Sequence, residues 1–422
     1  MPFFLFYNLK VNKLILKIEN LQIYFNNKTN LEFIYFYMNF FNDLILSKEN
    51  LLNNIKIIKK TAGEKKICAM VKANAYQHNL KFVVTNLKNY VDFFGVSNTE
   101  EAISVRNLTN KKILICGLYD KENLKNLILN NISLTITSIK QLKEIVLVVK
   151  NLQKEYEFNK NIDKNLNYVC DGNCINIHNI KAKIHIKINT GMNRLGVKNI
   201  NYFKKILNFI SVNNQYLILE GIYSHLFNAE NTGLARTQYY RFLNFLNFLP
   251  SLDNLIIHLE NSRGLFNNVD FFKVCNMARV GIALYGLEIK NKGLKPVLSL
   301  NSKIVAIQKV KFDDYVGYGK EYISKNGKVG VVPIGYADGI VRSYKNAFVF
   351  VNNVPCKILN VCMDMIIIDV TNIKTKIYDN VEIISNLTNK LNSANSLAKH
   401  LNTIAYEIVT NIKHSRLNIK FN

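Results

Sequence analysis

Short, nearly continuous apolar runs alternate with longer segments of helical spacing from Met38 to about Leu287. The runs KICAMV before Lys72, DFFGVS at 92–97, KILICG at 112–117, SLTITS at 133–138, KIHIKIN at 183–189, LEGIYSH at 219–225 and NLIIHL at 254–259 read as strands buried on both faces. A parallel sheet covered by helices requires such runs. Between them SKENLLNNIKIIKK, NTEEAISVRNL, DKENLKNLILN and QYYRFLNFLNFL place apolar residues three and four apart, behind plausible Ser, Asn or Asp caps. Repeated units of this kind predict an N-terminal (β/α)8 TIM-like barrel over residues 38–290. The stretch 151–182 is polar, has little periodicity and reads as a loop insertion with a short strand near its end. After Pro296 the texture changes to short alternating runs and turns, as in LNSKIVAIQKV, GKVGVVPIGY, AFVFVNNVPCKIL and NVEIIS. These predict a mainly-β C-terminal domain over 291–422, making the fold class α/β followed by β. Residues 1–37 form an N-terminal extension with no assignable role, and Met38 is an alternative functional start.

A chain of 422 residues, 49% of them hydrophobic, can bury the cores of one large and one smaller domain. The formal charge of +25 would suit nucleic acid or an anionic membrane if it were clustered. Instead the lysines recur singly among Asn, Ile and Leu, with no nucleic-acid-binding signature, so neither partner is expected. No apolar run is long enough for a transmembrane helix, and Asn and Lys break the apolar N-terminus before a signal-peptide core forms. The seven scattered cysteines form no disulfide framework and fit a reducing, cytoplasmic setting. Cys170, Cys174 and His178 lack a convincing fourth ligand, so no metal is assigned.

The chemistry centres on Lys72, placed just past KICAMV at the strand end where barrel active sites assemble. Alone it would read as a solvated loop lysine. Its surroundings, AMVKANAYQHNL, resemble the lysine motif of the alanine racemases, and further similar blocks follow in order: KINTGMNRLGV, YSHL, HLENSRG, ARVGIALYG, DDYVGYGKEY, VVPIGYADG, NVCMDM and NTIAYE. The resemblance runs from about Met38 to the C-terminus. It implies an amino-acid isomerase that uses pyridoxal 5'-phosphate and interconverts L- and D-alanine, the latter for peptidoglycan.

By this resemblance the residues divide among three tasks. Ser262, the backbone N–H groups of Gly281 and Ile282, and the phenols of Tyr76 and Tyr406 would hold the cofactor phosphate. Arg194 would face its phenolic oxygen, His225 would pack on its ring, and Arg279 would sit beside its pyridine nitrogen. A permanently protonated arginine there keeps that nitrogen unprotonated and weakens the electron sink, which limits side reactions. Lys72, the Schiff-base former, and Tyr318 would move protons on opposite faces of the substrate α-carbon. Arg194, Met363 and Tyr336 would contact the substrate. Tyr318 and Met363 would reach the neighbouring site of a homodimer, and Lys187 is a candidate for carbamylation.

The chain departs from the family where Gln77 and Asn79 replace glycines, and where Glu260, Arg263 and Gly264 stand around the Asn261–Ser262 pair. A charged side chain at 260 or 263 could shift the phosphate site or point to solvent. Asn189 replaces an aspartate of similar shape. Two rivals stay open on sequence: a broad-specificity amino-acid racemase, and a non-catalytic pyridoxal-phosphate-binding protein. The β-domain with Tyr318 and CMDM speaks against the second.

Overall fold

The computed structural model describes residues 14–18, 21–25, 41–162, 169–170, 173–174, 180–267, 272–289, 292–318 and 326–422. The chain divides into two compact units, neither of which is a continuous stretch. One comprises Leu46–Ser299, Ile384–Ile412 and Phe421–Asn422; the other comprises Met1–Ile45, Leu300–Ile383 and Lys413–Lys420.

The first unit is built on eight strands: β1 (Lys66–Met70), β2 (Phe93–Val96), β3 (Lys112–Ile115), β4 (Ile132–Ile136), β5 (Ala182–Lys187), β6 (Leu217–Tyr223), β7 (Ile256–His258) and β8 (Met277–Val280). They pair in parallel in the order β7-β6-β5-β4-β3-β2-β1-β8. The N–H groups of Asn276 and Arg279 reach the carbonyls of Ile257 and Glu260, each at 3.0 Å, joining β8 to β7 and closing the sheet into a barrel. Seven strands coincide with the apolar runs read from sequence. The eighth lies in the block ARVGIALYG, read there as a motif.

The helices form where caps and spacing require them. Ser47 accepts the Asn50 N–H at the start of Lys48–Ala62, and that helix turns Leu51, Ile55, Ile58 and Ala62 inward. Asn98, Asn199 and Asn231 cap their helices in the same way. Residues 151–162 correct the loop reading: they continue one long helix, Ile139–Ile162. Its buried Leu142, Ile145, Val146, Val149 and Leu152 keep helical spacing up to the start of the polar stretch. Beyond it Val169–Cys170 and Asn173–Cys174 pair as two short strands; His178 lies outside the described residues, as do most of 1–37.

The second unit contains a nine-stranded sheet. Its order is Ala306–Val310, Gly327–Val332, Ile366–Asp369, Val354–Val361, Phe348–Val351, Asn380–Ile384, Leu298–Lys303, Asp43–Leu46 and Asn418–Phe421. Pairing is antiparallel from the first of these to Asn380–Ile384. Two short helices, Ala394–His400 and Ala405–Thr410, interrupt this β-rich sequence and belong to the barrel unit. Among the described residues no helix is long and apolar enough to cross a membrane.

Candidate active site

A parallel barrel points all its strand C-termini to one mouth, so residues distant in sequence meet there. Lys72 follows β1, Cys116 and Gly117 follow β3, Lys187 closes β5, His225 follows β6, Asn261 and Ser262 follow β7, and Arg279 lies in β8. With Tyr76, Arg194, Gly281 and Tyr406 they line a cavity of about 300 Å³. Four cationic side chains, Lys72, Lys187, Arg194 and Arg279, face this space, and its lining contains no carboxylate. Such a site favours an anionic ligand.

Lys72 is followed by a run that no propensity argument predicts. Ala73, Asn74, Ala75, Tyr76 and Gln77 all have φ between 51° and 60°, a left-handed turn made without glycine. Each such residue costs roughly 1–2 kcal/mol, so the surroundings must hold the turn. Glu101 accepts the Ala73 N–H at 2.7 Å, Asn74 Oδ1 accepts the Leu80 N–H at 2.8 Å, and His78 Nδ1 lies 2.8 Å from the Tyr76 carbonyl. The turn delivers the Tyr76 ring against Tyr285 and Tyr406, with centroids 4.9 and 5.9 Å away. Gln77 and Asn79, at φ 60° and 61°, occupy backbone conformations that glycine adopts freely.

At the opposite wall Ser262 Oγ accepts the N–H groups of Gly281 at 3.0 Å and Ala283 at 3.3 Å. Between them the Ile282 N–H meets no acceptor among the described residues. Gly281 is required sterically, because a Cβ there would lie 2.5 Å from Tyr76 Oη. A hydroxyl, an amide without an acceptor among the described residues and two phenols around a turn opened by Gly281 fit a phosphate group. Burial drives the Tyr76 phenol well above its ordinary pKa and, together with the Glu288 charge, pushes Tyr406 up to about 12. Both remain protonated donors.

Arg279 is buried, and both of its terminal nitrogens are engaged. It donates to His258 Nδ1 at 2.7 Å, to the carbonyls of Ser224 and His258 at 2.6 and 3.1 Å, and to His225 Nδ1 at 3.4 Å. Its guanidinium carbon lies 4.9 Å from the centre of the Tyr223 ring. Among the described residues no carboxylate pairs with it, so its charge faces the cavity uncancelled. Burial, then Arg279 and Arg194, lowers the His225 pKa to about 3 and keeps that ring neutral. Lys187 Nζ donates to the Cys116 carbonyl at 3.2 Å. Burial, reinforced by the cations Arg279, Arg194 and Lys72, lowers its pKa to about 8.

The two charged departures around Ser262 are both neutralised. Glu260 accepts from Lys65 at 2.6 Å. Arg263 pairs with Glu230 at 2.6 Å and with Glu288, whose other oxygen accepts the Ala405 N–H at 2.7 Å. Arg263 therefore links the Ser262 turn to the start of the helix carrying Tyr406. Asn189 Oδ1 accepts the N–H groups of Gly191 and Asn193 at 3.0 and 3.1 Å, ordering the loop before Arg194.

Tyr318, Tyr336 and Met363 belong to the other unit and gather at one end of Val354–Val361. Asn360 donates at 2.9 Å to the carbonyls of both Val316 and Tyr318, and the N–H groups of Tyr336 and Ala337 reach the carbonyls of Cys362 and Met363. Tyr318 and Met363 are 72% and 58% exposed. Residues 319–322 of the DDYVGYGKEY block lie outside the described residues. Sequence reasoning missed Tyr223, Cys116 and Ser97 in the cavity wall, and His258 behind Arg279. Alternation along a strand could have found Tyr223, two residues before His225; nothing in the sequence marks Cys116.

A closed parallel barrel carrying a strand-end lysine, a buried arginine and an open cradle of hydrogen-bond donors, joined in sequence to a β-rich unit, defines a two-unit barrel protein with a cationic cavity suited to an anionic ligand. Residues 46–289 match the family model for the alanine racemase N-terminal domain, and residues 297–420 match that for the alanine racemase C-terminal domain. The alanine racemase of Francisella philomiragia is 34% identical over 386 residues, covering 88% of this chain and 97% of that protein. That of Borreliella burgdorferi is 35% identical, covering 87% and 94%. The solved alanine racemase of Clostridium difficile 630 superposes with a TM-score of 0.76 at 27% identity, over 90% of this chain and 95% of that one. The alanine racemase of Bacillus anthracis, solved with bound L-Ala-P, gives 0.74 at 26% identity and the same coverage. The chain belongs to the alanine racemase family.

Proposed function

We propose that the protein is a pyridoxal-phosphate-dependent racemase that interconverts L- and D-alanine in the cytoplasm, as a homodimer, and so supplies D-alanine for peptidoglycan. The observation that carries this reading is a carboxylate-free cavity in which Lys72 and Arg279 share one chamber with the Ser262–Gly281–Ile282 cradle. When bound, the cofactor supplies the electron sink that makes the substrate's α-hydrogen acidic. Ser262, the Ile282 N–H, Tyr76 and Tyr406 would hold its phosphate, and Gly281 leaves the room. Lys72 would hold its aldehyde carbon, and His225, kept neutral, would cover its ring without adding charge. Arg279 donates every hydrogen bond it makes, so it would offer the pyridine nitrogen no proton that it could give up at neutral pH.

Racemisation needs a proton moved at each face of one carbon. Lys72 Nζ serves one face and Tyr318 Oη the other. The phenol, 72% exposed in the single chain, needs cations close by to work near neutrality, since opposite charge favours the phenolate while burial alone would disfavour it. A partner's cavity would supply those cations, with Met363 and Tyr336 entering beside the phenol and Arg194 holding the substrate carboxylate. Lys187 reads as a carbamate site: a neutral amine attacks carbon dioxide and releases a proton, and a pKa of about 8 leaves enough neutral amine for this. Bicarbonate labelled with 13C should then give one slowly exchanging carbamate resonance that Lys187→Ala removes; its absence from wild type would reject the assignment.

The deciding experiment measures D-alanine formed from L-alanine by the purified protein with added pyridoxal phosphate. Lys72→Ala and Tyr318→Phe should each lower turnover by about 10²- to 10⁴-fold. Co-expressing the two variants should restore about a quarter of wild-type turnover, since half the dimers are mixed and one of their two sites is intact. No recovery would remove the shared site, and a wild type that racemises serine, lysine or arginine better than alanine would overturn the substrate.

A further inference from the structure

The interior of a (β/α)8 barrel is ordinarily filled by layers of branched apolar side chains. Here that filling is incomplete. Cys68, Phe93, Leu114, Ile256 and Met277 form an apolar cluster, but a column of buried polar groups runs beside it. His258 Nε2 lies 2.9 Å from His185 Nδ1, and His185 Nε2 lies 3.2 Å from Glu220 Oε2. Glu220 also accepts from Ser133 at 2.5 Å and from Lys112 at 2.8 Å. Lys112 opens β3, at the barrel mouth opposite the cavity, and Glu220 stands midway along β6, so the column runs from that mouth into the barrel. Both histidines are fully buried. Gly221 leaves the space that the His185 ring fills, since a Cβ there would lie 2.3 Å from Nδ1.

The two ends of this column fix the direction of every hydrogen bond in it. Arginine has donors only, so His258 Nδ1 must be an acceptor and its proton sits on Nε2. That proton points at His185 Nδ1, which must therefore accept, leaving the His185 proton on Nε2 and aimed at Glu220. An ionised carboxylate has acceptors only. Burial alone would raise the Glu220 carboxyl, but the hydrogen bonds from His185, Lys112 and Ser133 outweigh it and hold the group ionised. Burial lowers both histidines and keeps them neutral. The opposite arrangement would turn a His258 Nδ1 proton against the Arg279 donor and push the guanidinium away.

We propose that Glu220, held by Lys112 at the far mouth of the barrel, is a positioning residue for Arg279: through His185 and His258 it keeps a lone pair turned toward the guanidinium at the cavity. A charged group is retained in the lumen, where apolar side chains would pack at lower cost, because it specifies which nitrogen faces the active site. This deepens the racemase reading and rests on Arg279 acting at the cofactor ring. Its first test is independent of that reading.

With only seven histidines in the chain, selective 15N labelling of the cofactor-free protein resolves individual rings. Wild type should show His185 and His258 as single tautomers protonated at Nε2; an Nδ1 proton on either ring overturns the proposal. Glu220→Met, which removes the acceptor, should give mixed tautomers and faster exchange of the Arg279 protons. Glu220→Gln, whose amide oxygen still accepts, should restore the single tautomer. In the alanine assay Glu220→Met should lower kcat by about tenfold with KM within about twofold, and Glu220→Gln should recover most of that loss. A folded Glu220→Met protein with wild-type tautomers and wild-type kcat rejects the assignment. Correct tautomers in a protein that turns over no alanine would reject the racemase reading and leave the column standing.

Discussion

Gly281 and Ser262 divide one task between a missing side chain and a hydroxyl. The glycine admits the Tyr76 phenol, and the hydroxyl orders the turn whose Ile282 N–H meets no acceptor among the described residues. A methyl group at 281 collides with Tyr76 Oη, so Gly281→Ala should displace that phenol and forfeit a hydrogen bond to a charged phosphate. Such a bond contributes about 1.5–3 kcal/mol, and pyridoxal phosphate should bind roughly ten- to a hundredfold more weakly in a fluorescence titration. Unchanged affinity would remove Tyr76 from the phosphate site. At this scale the sequence named the chemistry through ordered motifs, yet it could not tell where a charge would point. Glu260 and Arg263 looked like intruders beside Ser262, and their partners, Lys65, Glu230 and Glu288, are dispersed along the chain with no spacing to betray them.

The seven barrel strands were legible because burial on both faces demands continuous apolar residues, a signal that survives without neighbours. Helix Ile139–Ile162 was cut short in the reading because its exposed face turns polar and Asn-rich, although Val149 and Leu152 continue the buried stripe. The left-handed turn after Lys72 was invisible for a deeper reason. KANAYQ contains good right-handed helix formers, and the other hand is held in part by the hydrogen bonds that Glu101 accepts from Ala73 and Asn74 accepts from Leu80. The strain predicts its own relief. Gln77→Gly exchanges a left-handed cost of roughly 1–2 kcal/mol for the larger conformational freedom of glycine. The expected net gain is about 0.5 kcal/mol, read as a higher denaturation midpoint. A loss of that size would show that the 3.3 Å contact between Asn74 and Gln77 outweighs the backbone strain.

For the whole molecule, three fully or nearly fully enclosed histidines set the response to acid. His185, His225 and His258 are held neutral, each with a folded pKa below its unfolded value, by burial first and by Arg279 among the nearby charges. Unfolding in mild acid releases these rings to take up protons near their unfolded pKa of about 6.5, so the unfolded state binds more protons below that pH. Stability from this source is complete above about pH 6.5 and falls as the pH drops toward about 3, the folded value for His225. Calorimetry between pH 7 and pH 5 should show a falling Tm and more than about one proton taken up per molecule. A Tm flat across that range would mean the rings are not held neutral.

The same scale holds one consequence for how the chain is made. The strand Asp43–Leu46 lies in its sheet between Leu298–Lys303 and Asn418–Phe421, and Lys420 Nζ meets Asp43 Oδ2 at 2.8 Å. During synthesis this early strand leaves the ribosome hundreds of residues ahead of both its neighbours. At roughly 5–20 residues per second, it waits many seconds with both edges unpaired, a template for mispairing. The barrel between them is complete, except for the segment bearing Tyr406, before that wait is over, so the protein gains its chamber first and its closing strand last.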